Sequence, residues 1–240
     1  MTATAAARAF FIERSGHEKC APCRQHDRYQ SAGQSLYTSM VSMAKKKKAS
    51  PGAAPSQTLT SLFALLRVQG ASAVRWLDVV DIVVDERVRL KCQIPLCDSY
   101  RFNLMCPPHV PSVAEFRSAL LRFSGAVLIQ ITEHLTKPTD NNPSANVFAP
   151  AKRLHQLIHL AEKQAFEGGA RFATGLIGSC CRLCEECVAV RSGTSCRYPF
   201  RARPSMEAMG IDVMATAERA GLPLRFPVVH QVTWTGCVLI

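Results

Sequence analysis

GSCCRLCEECVAVRSGTSCRYPFRARPSMEAMGIDV, residues Gly178–Val213, is the stretch on which the reading of this chain turns. Cys181, Cys184 and Cys187 stand at successive C-x2-C spacings, and Cys196 follows a short Gly/Ser/Thr loop. Thiolates three apart on a turning backbone converge on a compact centre, and three in succession wrap a cuboidal iron–sulfur core more naturally than one small ion. Tetrahedral zinc usually takes its ligands as two C-x2-C pairs on separate knuckles. The fourth thiolate also departs from the close C-x3-C-P of bacterial ferredoxins. The spacing therefore reads as metal ligation: an iron–sulfur cluster first, zinc second, redox-active or unliganded thiols third. Pro199 and Pro204 keep the segment irregular, so the regular fold is built around it rather than through it.

A partner segment lies upstream. KCQIPLCDSYRFNLMCPPHVPS, residues Lys91–Ser112, offers Cys92, Cys97 and Cys106 on a Pro-punctuated loop whose amides can point at sulfur. Three thiolates leave a fourth position to Cys180 first, His109 second, or an open iron third. A structural zinc knot is the alternative, since wide spacings are less diagnostic than C-x2-C. Tyr100 and Phe102 read as packing residues around this site.

Taken together, GSCCRLCEEC, CRYPFRARPSMEAMGIDV and the upstream C-x4-C-x8-C-P-P pattern resemble the predicted metal-binding proteins called domain of unknown function 2284, from about Leu59 to the C-terminus. The resemblance implies a cysteine-ligated cluster and no established reaction.

Between and around the two segments the chain reads as an α/β layer. SLFALLRVQG places Leu62, Leu65 and Leu66 at helical spacing before Gly70. VRWLDVVDIVVDERVRL, rich in Val and Ile, predicts one or two strands. Ser112 with Glu115 forms a capping box for VAEFRSALLRF, and AVLIQI follows Gly125 as a buried strand. After a Pro/Asn-rich loop, AKRLHQLIHLAEKQAFEGG predicts a helix with Leu154, Leu157, Ile158 and Ala161 as its core stripe. His155 and His159 sit beside that stripe as an ordinary boundary pair. Arg171–Leu176 predicts a strand, SMEAMGIDVMATAERAG a helix capped by Ser205, and PVVHQVTWTGCVLI a closing strand. The expected fold is a single sheet with covering helices and two cysteine-rich, loop-rich metal-binding segments. Gly175 and Gly178 lack phosphate-loop spacing and are expected to let backbone approach a cluster.

Residues 1–58 read as a disordered basic extension and linker, followed by the domain of residues 59–240. They include the run Lys45–Lys48 and end in ASPGAAPSQT. His17, Cys20, Cys23 and His26 crowd into ten residues, against the long insert of a zinc finger. A translated leader ending near Met43 is a further reading of the upstream residues.

Composition narrows the function. The net charge of +11 divides into nine Lys/Arg against three Asp/Glu in residues 1–58, and twenty against fifteen in residues 59–240. Thiolate-ligated clusters carry negative charge that offsets much of the second excess, so the basic balance does not argue for nucleic acid. No stretch approaches the ~20 apolar residues of a membrane span, and Met1–Ile12 makes a poor secretory signal. Eleven cysteines in a reducing cytoplasm read as metal sites rather than disulfides. Arg182, Arg191, Arg197, Arg201 and Arg203 crowd the second motif, to dock an acidic partner, bind an anionic substrate or offset cluster charge. Cys237 reads as a small buried hydrophobe rather than a lipidation site. The expected function is iron–sulfur (4Fe–4S) binding in electron transfer, or in support of a redox or cofactor-maturation enzyme. The alternatives are a zinc-stapled interaction protein and an enzyme acting through an open iron of the three-cysteine site. No acid–base pair or C-x3-C-x2-C radical motif is present.

Overall fold

Strand residues alternate sides, so a strand apolar at every position must be covered on both faces. In Ala126–Ile131 every residue is buried. The computed structural model, which describes residues 57–135, 145–191, 193–228 and 230–240, meets that requirement with a four-stranded sheet between two apolar layers. The strands are β1 (Ala73–Asp78), β2 (Gly125–His134), β3 (Thr174–Leu176) and β4 (Gln231–Leu239), in the order β1-β2-β4-β3. All three pairings are antiparallel, with Trp76 opposite Val127, Leu128 opposite Cys237, and Cys237 opposite Leu176.

One face carries Val74, Val127, Ile129, Ile131 and Val238 against helices α1 (Gln57–Val68) and α4 (Ala145–Glu167). The expected stripe of α4 is fully engaged, with Leu154, Leu157, Ile158 and Ala161 all buried. The other face carries Leu77, Ala126, Leu128, Leu176, Cys237 and Leu239. It packs against α3 (Val113–Leu120), α5 (Val213–Arg219) and the turn Glu207–Met209. A short helix, α2 (Arg87–Leu90), leads into the first cysteine segment. The Ser112–Glu115 capping box forms with both reciprocal bonds, at 3.2 and 2.8 Å.

Several expected elements differ in extent. The stretch Val74–Leu90 holds one strand, a 3-10 turn at Val79–Asp81 and α2. Asp85 accepts from the Arg87 backbone N–H at 2.8 Å, so its side chain turns the chain into α2 instead of extending it. Helix α4 begins at Ala145, before Pro150, because the Trp234 indole donates to the Val147 carbonyl at 2.8 Å and secures the first turn. The helix expected from Ser205 is split. Ser205 accepts from Ala208 N–H, as a cap does, but only over a 3-10 turn. Gly210 then adopts φ 83°, Ile211 bridges to Val84, and α5 starts afresh on the Asp212 cap. The N-terminal extension and its His17, Cys20, Cys23 and His26 lie outside the described residues.

Candidate metal centre

Both cysteine segments are irregular loops pinned at their roots by backbone pairing. The second leaves the sheet at Ile177 and returns at Pro204–Met206, where Ile177 N–H donates to the Pro204 carbonyl and Met206 N–H to the Ile177 carbonyl, each at 2.9 Å. The first is anchored by Asp85 N–H to Gly210 O and Asp212 N–H to Val83 O, both 2.8 Å. The Arg89 guanidinium adds bonds to the carbonyls of Pro111 (3.1 Å) and Ala208 (2.8 Å). Both sets of bonds end on residues 204–212, so that segment ties the roots of the two loops together.

Where they meet they are bonded to one another. Asn103, 7 % exposed, donates from its side chain to the Cys181 carbonyl at 2.8 Å and accepts the Met105 backbone N–H at 3.0 Å. The next amide, Leu104 N–H, points at Cys187 Sγ at 3.4 Å, and within the second loop Tyr198 N–H approaches Cys196 Sγ at the same distance. Between the loops lies a cleft of about 670 Å³ whose wall includes Cys180, Cys181, Cys184, Cys187 and Cys196, with Phe102 and Asn103 opposite.

The thiols influence one another in two neighbourhoods. Burial, then the adjacent thiols of Cys180, Cys97, Cys92 and Cys181, pushes the Cys106 thiol up to about 12. Burial also raises Cys181, opposed by the Leu183 backbone N–H and reinforced by Cys196, Cys184 and Cys187. Cys92 is raised by burial and by Cys97. The neighbourhoods adjoin at the consecutive residues Cys180 and Cys181. Among the described residues no three His, Cys, Asp or Glu side chains stand arranged as a site for one metal ion. The donor set nonetheless suits a thiophilic metal in its chemistry: five thiols of the second loop on one cleft, and backbone N–H groups directed at sulfur, with Cys92, Cys97 and Cys106 off the cleft wall. A cation there would reverse the shifts, since ligating thiols must lose their protons.

Other expected residues fall differently. His109 is exposed and its Nε2 lies 3.1 Å from the Arg101 carbonyl, so the ring already has a partner on its own loop. Phe102 is 54 % exposed at the cleft, not packed. Gly178 is crowded by the sheet: a Cβ there would stand 2.7 Å from the Thr235 carbonyl, and one on Gly175 2.7 Å from Ile158. Both glycines thus let the segment hug β4 and α4, whereas a close approach to a cluster had been expected. Cys237 is fully buried in the sheet, and burial alone holds its thiol near 12. Among the arginines, Arg203 is spent on Glu162 (2.7 Å) and Arg197 on the Glu186 carbonyl (2.9 Å).

Two contributors carried little local signal. Asn103 sits as a lone amide within RFNLMC, a polar residue in an apolar run. Glu207 lies on the turn bonded to Ser179, its carboxyl pushed upward by burial against bonds from its own backbone, Ser205 and Ser179, and its Oε2 has no partner among the described residues. Arg101 (φ 68°) and Ser179 (φ 67°) are the non-glycine residues in left-handed backbone among the described residues, and each lies within a cysteine segment. Strain of this kind collects at functional sites.

A family model described as predicted metal-binding protein (DUF2284) matches residues 75–240, and the chain belongs to that family. No curated protein and no solved structure matches it. No helix among the described residues is long and apolar enough to cross a membrane.

Proposed function

We propose, with membership of this metal-binding family as the premise, that the cleft is an iron–sulfur centre. Cys181, Cys184, Cys187 and Cys196 ligate one 4Fe–4S cluster, and Cys92, Cys97 and Cys106 ligate a second with Cys180 as the fourth thiolate. One observation carries the reading above the rest: five cysteines of the second loop line one cleft, with Leu104 and Tyr198 amides directed at thiol sulfur, while Cys92, Cys97 and Cys106 lie off its wall as a neighbouring group that meets it at Cys180. When bound, a cluster of this kind stores and releases single electrons at a potential set by its ligands, their hydrogen bonds and solvent exposure. The chain's own residues do the rest. Asn103 fixes one loop on the other, so the ligands of both sets hold their spacing. The amides of Leu104 and Tyr198 withdraw charge from Cys187 and Cys196.

The function that follows is electron transfer, or support of a redox or cofactor-maturation enzyme, in the cytoplasm. Exposed Arg191 beside the second loop faces an acidic redox partner. The test is a visible spectrum of anaerobically purified protein before and after dithionite. Wild type shows a brown band that bleaches on reduction; Cys184→Ala loses much of it and Cys237→Ala retains it. A colourless wild type carrying zinc, or a Cys184→Ala variant with undiminished iron, overturns the assignment.

A further inference from the structure

A second cavity, about 260 Å³, lies on the α4 side of Cys180. It shares Lys152, Cys180 and Arg182 with the cleft, and adds His155, His159 and Arg201. Every charged side chain on its wall is cationic, and no Asp or Glu lines it. The ion pairs elsewhere in the described residues engage other cations: Arg87, Arg117, Arg153, Lys163 and Arg203. Arg182 is held instead by the Phe148 ring, 3.9 Å from its guanidinium carbon, and Arg201 by the Tyr198 ring at 6.0 Å. Stacking on an aromatic face positions a guanidinium without occupying its N–H donors.

The two histidines complete the arrangement. His155 Nε2 donates to the Arg201 carbonyl at 2.8 Å, which ties the second cysteine loop to α4 and places Arg201 at the cavity. One turn further along α4, His159 keeps a buried Nδ1 with no hydrogen-bond partner. Buried polar atoms in folded proteins nearly always have a partner, so this orphan beside a cationic cavity leaves the imidazole with a donor to spare for a group that enters it.

We propose that this cavity binds a small oxyanion, a carboxylate or phosphate group. Lys152, Arg182 and Arg201 balance its charge, and the His159 imidazole donates to it. The sequence left these arginines shared between partner docking, substrate binding and charge offset. The place of Arg182 and Arg201 on one cavity wall with His159 favours substrate binding for this pair. The pocket stands on its own geometry and does not depend on which metal the neighbouring cleft holds.

The test titrates full-length, anaerobically purified protein with inorganic phosphate and, separately, with acetate, by calorimetry, with metal content measured in parallel. Saturable binding of either probe supports the site, and the tighter probe names the class. Lys152→Gln and Arg182→Gln are exposed-residue changes that keep the fold; each weakens that binding about tenfold, while Arg122→Gln, an exposed arginine outside both cavities, leaves it unchanged. The His159 ring resonances shift on saturation in wild type and do not in Arg182→Gln. No saturable binding of either probe overturns the proposal, as does undiminished binding in the Lys152→Gln, Arg182→Gln double variant. Loss of metal from Arg182→Gln would also overturn it, because that cation would then be balancing the cleft's thiolates.

Discussion

The sheet and the cysteine loops are held together by different physics. The sheet is closed by apolar side chains on both faces, with Leu128, Ile129, Ile158 and Leu239 at 0–1 % exposure. The loops bury few large apolar groups: Ile94, Leu96 and Phe200 are 73, 65 and 84 % exposed. They rely on backbone roots at Ile177 and Val84, a buried amide at Asn103, and thiols that raise one another's affinity for protons. The sheet is closed by its own side chains, whereas the loops present thiols with little apolar cover. Burial supports a fold without regard to metal; a thiol-lined cleft couples folding to it.

The comparison breaks most visibly in the sheet. Leu128→Ala, in the central strand, should cost about 2–5 kcal/mol in urea unfolding, and the loss should be the same before and after metal is stripped. Dependence on metal would mean that sheet and loops are one cooperative unit. Asn103→Ala should cost about 1–3 kcal/mol by orphaning the groups it bridges. It should also speed metal loss to a chelator on the order of tenfold, through disordered support of the ligands. An unchanged chelation rate would remove Asn103 from the centre. Ser112→Ala should cost about 1 kcal/mol through the lost cap of α3, with metal content unaltered.

The smallest effect is the pH response of His155. Burial holds its pKa below the ordinary 6.5, so the unfolded chain takes up the proton first as pH falls. Its contribution is present above about 6.5 and is lost as pH falls through the lower folded value. His155→Gln should flatten the melting temperature over that interval, and an unchanged slope would assign it to other groups.

Much of the sheet was legible because its signals are local. The unbroken AVLIQI run demanded cover on two sides, the Leu154–Ala161 stripe supplied one cover, and the Ser112–Glu115 pair marked a helix start that the structure reproduces bond for bond. The strand order and antiparallel sense were not legible, since pairing partners such as Leu128 and Cys237 are far apart in sequence. Apolar content misled where local turns intervened: Asp85 turned a Val/Ile run, and Gly210 split a helix. In the centre, the cysteines announced themselves by spacing. Asn103, Glu207 and the cationic cavity did not, because each acts on residues brought near only by the folded loops.

The central claim is that the cysteine cleft holds iron–sulfur clusters, and metal with acid-labile sulfide analysis of anaerobically purified protein tests it most directly. Two cubane clusters predict about eight irons and about eight sulfides per chain. About two zincs with no sulfide would contradict the account and leave the cleft a structural metal site.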